Sequence, residues 1–295
     1  MSSARERAAL VALLRLGRRR GHPDHAEAVE RAGSALAVLE QEVVATGGQT
    51  NLLPEDPERL LSRAAADIDA WRRDGFQLIT VLDKGYPENL RTIHDRPPIL
   101  FVAGTLTSQD ARSIAVIGSR RASPEGRAAA ARIADALARA GYVVVSGLAA
   151  GIDTAAHEAA FAANGRTVGV IGTGLRHSYP PENAGLQQRI AAAGAVISQF
   201  WPDTPPTRKT FPLRNAVMSG FALGTVVVEA SFRSGARLQT RLALAHGRPV
   251  FLWGPLLAEP WARDIARCPG VHVVDDAAQI TQTIERLDTS DALVE

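Results

Sequence analysis

The sequence predicts a doubly wound, mostly parallel α/β sheet preceded by a small helical domain. Three observations lead there. After Gly104, short segments that are apolar nearly throughout recur along the chain, as strands buried on both faces require. Between them lie stretches of roughly 10–15 residues with helical periodicity, and strands joined this way imply right-handed crossovers and parallel pairing. The first 74 residues instead carry apolar positions at spacings of three and four, with no strand signal.

In that first part, helices are expected over Arg5–Leu16, Asp24–Ala45 and Pro57–Arg73, divided by Gly17, Gly21 and a Gly47-Gly48 turn. No chemical motif falls among them, and their aspartates, glutamates and histidines read as a solvated face. Phe76–Leu82 is a β-prone run closed by the turn signal Asp83-Lys84-Gly85. Tyr86-Pro87-Glu88-Asn89-Leu90 opens a short helix, and Ile99–Val102 is a second strand after Pro97-Pro98. The alternation then supplies strands at Ser113–Ile117, Tyr142–Ser146, Thr167–Ile171, Ala195–Gln199, Thr225–Glu229, Pro249–Trp253 and Val271–Val274. Helix ends are readable as well. Ser123-Pro124-Glu125 offers an N-cap, a proline in the first turn and an acid near the positive helix end, while Gly141 stops that helix. Asn164-Gly165, Gly194 and Gly247 stop later ones. The expected domains are residues 1–74, helical, and 75–287, the sheet domain, with 288–295 as a tail.

With 46% hydrophobic and 22% charged residues, the chain has the balance of a soluble globular protein. A single cysteine, Cys268, excludes an internal disulfide and a cysteine-based metal site, and reads as a small apolar residue near a helix end. No apolar run approaches the ~20 residues that span a bilayer. The N-terminal apolar stretch Ala8–Leu16 is interrupted by Arg15, is followed by Arg18, Arg19 and Arg20, and lacks a cleavage signal. A cytoplasmic protein without membrane partners is expected. The net charge of +2 conceals a segregation: residues 111–253 hold 16 basic and 7 acidic side chains, whereas the flanks hold 17 and 24. A basic segment between acidic flanks is an electrostatic footprint for a polyanion.

In an open parallel sheet, ligands bind beyond the carboxyl ends of the strands. The loops there are Gly118-Ser119-Arg120-Arg121, the run from Ser146 to Asp153 with Gly147 and Gly151, Gly172-Thr173-Gly174-Leu175, and Ser231–Arg237 with Ser234 and Gly235. Small residues let backbone N–H groups and helix N-termini approach an anion. One such loop could be no more than a tight turn, but several at one sheet edge, with Arg120 and Arg121 among them, point to phosphate. Three enzyme classes drop out. The first loop lacks G-x-G-x-x-G and the second strand ends in Ser146-Gly147, which excludes a nicotinamide dehydrogenase; there is no P-loop; and His157-Glu158 is not completed by a second histidine, since residue 161 is Phe. His157 then reads as a helix-surface or capping histidine. The segment Phe200–Phe232 interleaves Phe200, Trp201, Phe211, Phe221 and Phe232 with Arg208, Lys209, Arg214 and Arg233. Cations track phosphates and rings stack on unpaired bases, so this is a composition suited to a single strand. Phe221, within Phe221-Ala222-Leu223, reads as core; Phe211, between Lys209 and Arg214, does not.

The ordered motifs Ile117-Gly118-Ser119-Arg120, Ser146-Gly147-Leu148-Ala149-Ala150-Gly151-Ile152-Asp153, Gly172-Thr173-Gly174-Leu175, Tyr179-Pro180-Pro181-Glu182-Asn183, Phe211-Pro212-Leu213-Arg214-Asn215 and Val228-Glu229-Ala230 resemble the DNA-processing protein A (DprA, or Smf) family. The likeness runs in order over about residues 76–255. It implies an extended Rossmann-like fold that binds single-stranded DNA, forms a homodimer and delivers the strand to the recombinase RecA in natural transformation, with no catalytic turnover, cofactor or metal. Carried over by position, Arg120 and Lys209 contact phosphates and Arg214 and Asn215 line the same pocket. Arg121 and Phe211 join them, while Asn183 and the glycines Gly118, Gly147, Gly172 and Gly174 shape the floor, and Ser119, Gly151, Ser234 and Gly235 complete the phosphate loops. Two departures stand out: Ala216 replaces an arginine usual in the family, and Arg233-Ser234-Gly235-Ala236 replaces a more serine-rich stretch. A C-terminal winged helix, common in the family, is not expected after Val271–Val274.

Two alternatives use the same loops. Phosphoribohydrolases on related sheets carry P-G-G-x-G-T-x-x-E; here Gly224-Thr225 is followed by a glutamate one residue late, at Glu229, and a one-residue slip on a strand reverses the face. Glu229 reads more simply as a strand-end residue that hydrogen-bonds backbone. The other alternative is a non-catalytic sensor of a small nucleotide.

Overall fold

The first helix, α1 (Ala4–Leu16), begins at Ser3, whose side chain accepts from the Glu6 amide, and stops at Gly17, whose φ of 57° is left-handed. Its stretch from Ala8 to Leu14 is buried on every side. The computed structural model describes residues 3–17, 22–47 and 56–291. Gly21, the Gly48 end of the expected turn and residues 292–295 lie outside these. Chain contacts divide the protein into two units, Met1–Tyr86 with His94–Val102, and Pro87–Ile93 with Ala103–Glu295.

In the first unit, the single helix expected over Asp24–Ala45 is two: α2 (His22–Ala32) and α3 (Ala35–Gly47). Gly33 breaks the helix with a φ of 65°. Ser34 Oγ then accepts from the Ala37 amide at 3.1 Å, and the Glu6 carboxylate of α1 accepts from the Ala35 and Leu36 amides at 2.6 and 3.2 Å. The new N-terminus is thus capped from a distant part of the chain. α4 (Pro57–Arg73) follows an Asp56 cap and places Trp71 edge-on to Phe101 at 4.9 Å between ring centroids. β1 (Phe76–Thr80) and β2 (Ile99–Gly104) are neighbouring strands. β1 ends before Leu82 because Asp83 turns back to accept from the Thr80 amide and hydroxyl at 3.0 and 2.9 Å. Arg7 closes on the same carboxylate at 2.7 Å. Burial raises the Asp83 pKa, but bonds from Arg7 and Thr80 outweigh it and hold the group at about 2.

In the second unit, α5 (Glu88–Arg91) is followed by an alternation that matches the expected order. It runs β3 (Ser113–Ile117), α6 (Pro124–Arg139), β4 (Val143–Ser146), α7 (Ile152–Ala162), β5 (Thr167–Val170), α8 (Ala184–Ala193) and β6 (Ala195–Ser198). It continues with α9 (Thr210–Phe221), β7 (Gly224–Val227), α10 (Gly235–Ala245), β8 (Val250–Trp253), α11 (Pro260–Ile265), β9 (Val271–Val274) and α12 (Ala277–Asp291), the last extending into the expected tail. These strands lie in the order β6-β5-β4-β3-β7-β8-β9, every pair parallel, with Ala115 between Val145 and Thr225. The chain winds outward from β3 in one direction through β4, β5 and β6, then restarts beside β3 with β7. That reversal is a topological switch point, where side loops part and leave a crevice. The central strands are fully buried, and Ile133, Leu137, Val144, Val226 and Phe251 join one core cluster. Burying each such side chain contributes about 1.5–3 kcal/mol. Cys268 follows α11 and is exposed rather than packed. Among the described residues, no helix is long and apolar enough to cross a membrane.

Candidate nucleic-acid interface

A cavity of about 950 Å³ opens at the switch point, beyond the carboxyl ends of β3, β7 and β8. The loop after β3 brings Gly118, Ser119, Arg120 and Arg121 to its wall; α9 brings Phe211, Arg214 and Asn215; and the start of α10 brings Ser234 and Gly235. Arg132, Arg233 and Asp153 also line it.

The β3 loop is held from both sides. The Ser119 amide donates to the Glu229 carbonyl at 2.6 Å, and the Ser119 carbonyl accepts from the Ile152 amide at 3.2 Å. Gly151, at a φ of 83°, allows that approach, since a Cβ there would sit 2.3 Å from the Ser119 carbonyl oxygen. Gly118 is equally tight against Ile152 and the Glu229 carbonyl. Arg120, exposed at the mouth, places its guanidinium 4.8 Å from the Phe211 ring centroid and 5.8 Å from that of Tyr179. The two rings are themselves 5.4 Å apart, and Tyr179 is 41% exposed. Phe211 lies over Gly172, where a Cβ would meet the ring at 2.8 Å. A cation and two partly exposed rings therefore share one surface, the arrangement on which a base can stack while its phosphate meets the charge.

Arg214 is different. It is 5% exposed, with Nη1 donating to the Val170 carbonyl at 2.8 Å, and it lies directly over Gly147. Its Nε has no partner among the described residues. Burial lowers its pKa to about 10, with Asp153 opposing and Arg120 assisting that shift, so it remains a cation at neutral pH. Asp153 is also buried, and accepts from the Gly147 and Ala149 amides at 3.1 and 3.3 Å. Desolvation pushes its carboxyl up, held back by Arg214 and those amides.

Not every expected site residue reaches the cavity. Lys209 is exposed at the N-terminal boundary of α9, two residues ahead of Phe211, and Arg208 beside it is exposed too; neither lines the cavity. Asn183 also lies off the wall. Its amide donates to the Leu148 carbonyl at 2.8 Å and to Thr154 Oγ1 at 2.9 Å, tying the loop after β4 in place. Gly147, Gly172 and Gly174 lie beneath Arg214, Phe211 and the Trp201-Pro202 backbone. Of the aromatics, Phe221 is core, Phe232 is 61% exposed beneath Arg237, and Phe200 and Trp201 are half-buried away from the cavity. His157 is not a surface residue. It is fully buried, Nδ1 faces Thr167 Oγ1 at 2.7 Å, and burial lowers its pKa to about 3. Glu229 receives the Ser123 amide at 3.1 Å on both oxygens as well as the Ser123 hydroxyl, which binds this carboxylate at the N-terminus of α6. Sequence reasoning passed over Tyr179, Asp153 and Gln239. Tyr179 had a signal, the Tyr-Pro-Pro-Glu-Asn motif, but the others depend on which side of a helix meets the cavity.

Fold and cavity together define an open-sheet α/β protein with a cationic crevice at its switch point. The sequence pattern of the DNA recombination-mediator protein A family matches residues 77–288. The chain is 35% identical to the DNA processing protein DprA of Bacillus subtilis over 71% of each chain, and 40% identical to that of Streptococcus pneumoniae over 60% of this chain and 62% of the relative. The X-ray structure of DNA processing protein A from Streptococcus pneumoniae superposes with a TM-score of 0.67 at 28% identity, covering 94% of this chain and 92% of the other. The Helicobacter pylori DNA processing protein A gives a TM-score of 0.63 at 24% identity over 72% and 96%. The chain belongs to the DNA recombination-mediator protein A family.

Proposed function

We propose that this protein binds single-stranded DNA without sequence-specific contacts, protects it and passes it to a RecA-type recombinase, with no catalytic step. The observation that carries the reading is the joint surface of Arg120, Phe211 and Tyr179 at the mouth of the arginine-lined crevice. Rings at this mouth suit unpaired bases, which duplex DNA does not offer. The family relatives are named DNA processing proteins, and the one from Helicobacter pylori binds single-stranded DNA. Recombinase loading, the homodimer, a role in transformation and a cytoplasmic setting rest on family membership. Arg120, Arg121 and Lys209 would meet phosphates, Phe211 would stack, and Arg214 and Asn215 would act from the wall. The hydrolase alternative loses support because the Glu229 carboxylate is committed to Ser123.

The test is an anisotropy titration of a labelled oligothymidylate and the matching duplex at two salt concentrations. The single strand should bind more tightly, with a log–log salt slope of roughly 0.7 per phosphate neutralised. Preference for duplex, or salt-independent binding, would overturn the reading.

A further inference from the structure

β1 is an edge strand: β2 is its neighbour, and no strand lies on its other side among the described residues. The Val81 amide donates to the Pro98 carbonyl at 3.0 Å, toward β2. The Thr80 amide and carbonyl face the other way, into the Asp83 turn. Alternation along the strand then turns the main-chain groups of Leu78 and Phe76 outward as well. No turn or cap takes them among the described residues. Open edges are usually blunted by a proline, a charge or a bulge, but Phe76–Thr80 holds no proline and no charged residue. Alongside runs a groove of about 360 Å³ that shares no residue with the crevice. Phe76, Gln77, Leu78 and Ile79 all line it, and consecutive residues from both faces of a strand meet one groove only along the strand's edge. α4 adds Ile68 and Arg72, one turn apart, and Lys84 stands in the turn beyond β1. Arg7 answers Asp83 within the groove, which leaves the exposed Arg72 and Lys84 as its charged rim. Arg72 donates to Asp69 at 3.0 Å, in an exposed pair of small energetic weight.

We propose that this edge takes up an extended acidic peptide of a partner protein as an added strand, matched to the 5 residues of β1. The outward main-chain groups of Phe76 and Leu78 hold its backbone, alternate apolar side chains enter the groove beside Ile68, and its carboxylates meet Arg72 and Lys84. A second copy of this chain fits less well, because pairing β1 with β1 brings the cations of two rims together. A polynucleotide fits less well too: phosphates only accept hydrogen bonds, and the outward carbonyl of Leu78 needs a donor. The surface is independent of strand binding in the crevice.

The experiment titrates the full chain into a labelled octapeptide that alternates aspartate with valine, and into its counterpart with lysine in place of aspartate. The acidic peptide should bind about tenfold more tightly than the basic one, and Arg72→Glu combined with Lys84→Glu should reverse that order. Hydrogen exchange at the Leu78 amide should slow about tenfold when the acidic peptide is added, as strand pairing requires. Oligothymidylate should bind the double variant and the parent equally, which reports that the variant is folded. No peptide binding, the same charge preference in the double variant, or unchanged exchange at Leu78 overturns the inference and leaves strand binding intact. Displacement of the peptide by oligothymidylate would give the edge to DNA. Self-association that slows Leu78 exchange without peptide would give it to a second copy. Either result also overturns the inference.

Discussion

Arg120 and Arg214 both carry charge to the crevice, but by different means. Arg120 is exposed and stacked on Phe211, so Arg120→Ala should fold normally and weaken every single-stranded sequence alike, lowering the salt slope by roughly 0.7. An unchanged slope would place its contact elsewhere. Arg214 is fixed by packing: a Cβ at Gly147 would lie 1.6 Å from its Nη1, so Gly147→Ala must expel the guanidinium from the Val170 carbonyl. The expected cost is about 1–3 kcal/mol, read as a fall in thermal midpoint of roughly 2–4 °C per kcal/mol. His157 supplies a pH signature. It stays neutral in the fold down to about pH 3, whereas an unfolded histidine takes a proton near pH 6.5. Between those values the unfolded chain binds more protons, so stability falls with falling pH by about 1.4 kcal/mol per unit from this one group. Urea titrations at pH 7, 6 and 5 should give a shallower decline for His157→Gln than for the parent. At this scale the sequence revealed residue types but not their burial. Gly118-Ser119-Arg120 and Phe211 were readable as an exposed cation and ring, while the burial of Arg214 and His157 comes from β4 and β5 packing behind them.

In the sheet unit α6 and α10 start at a serine cap supplied by the local sequence, and the strands fall on the apolar runs. Ser123 caps α6 and Gly141 follows its end with a φ of 79°, as Ser123-Pro124 and Gly141 suggested. The Glu229 carboxylate reaches across from the end of β7 to the same cap, a contact between residues 106 positions apart that no local pattern encodes. Ser123→Ala should remove the cap to the Gly126 amide together with a donor to Glu229, costing about 1–2 kcal/mol in urea unfolding. A loss within error would mean that Glu229 alone secures the α6 start. The division of α2 from α3 was illegible for the same reason. Gly33 alone is tolerable inside a helix, and the groups that make a break favourable at Ser34 belong to Glu6 on α1.

For the whole chain, the asymmetry of 16 basic against 7 acidic residues in positions 111–253 was legible without any fold, and so was the parallel alternation. What the sequence left open was which loops share a crevice. That depends on strand order, and only with β7 placed beside β3 do Arg120 and Ser234 line one cavity while Asn183 and Lys209 stay off its wall. One consequence follows from the cations gathered there. Arg214 keeps its proton up to about pH 10, and no histidine lines the cavity among the described residues. The Arg214 guanidinium therefore contributes the same charge to the crevice across the physiological range. Neither acidification nor alkalinisation within that range offers a means of switching off this one cation.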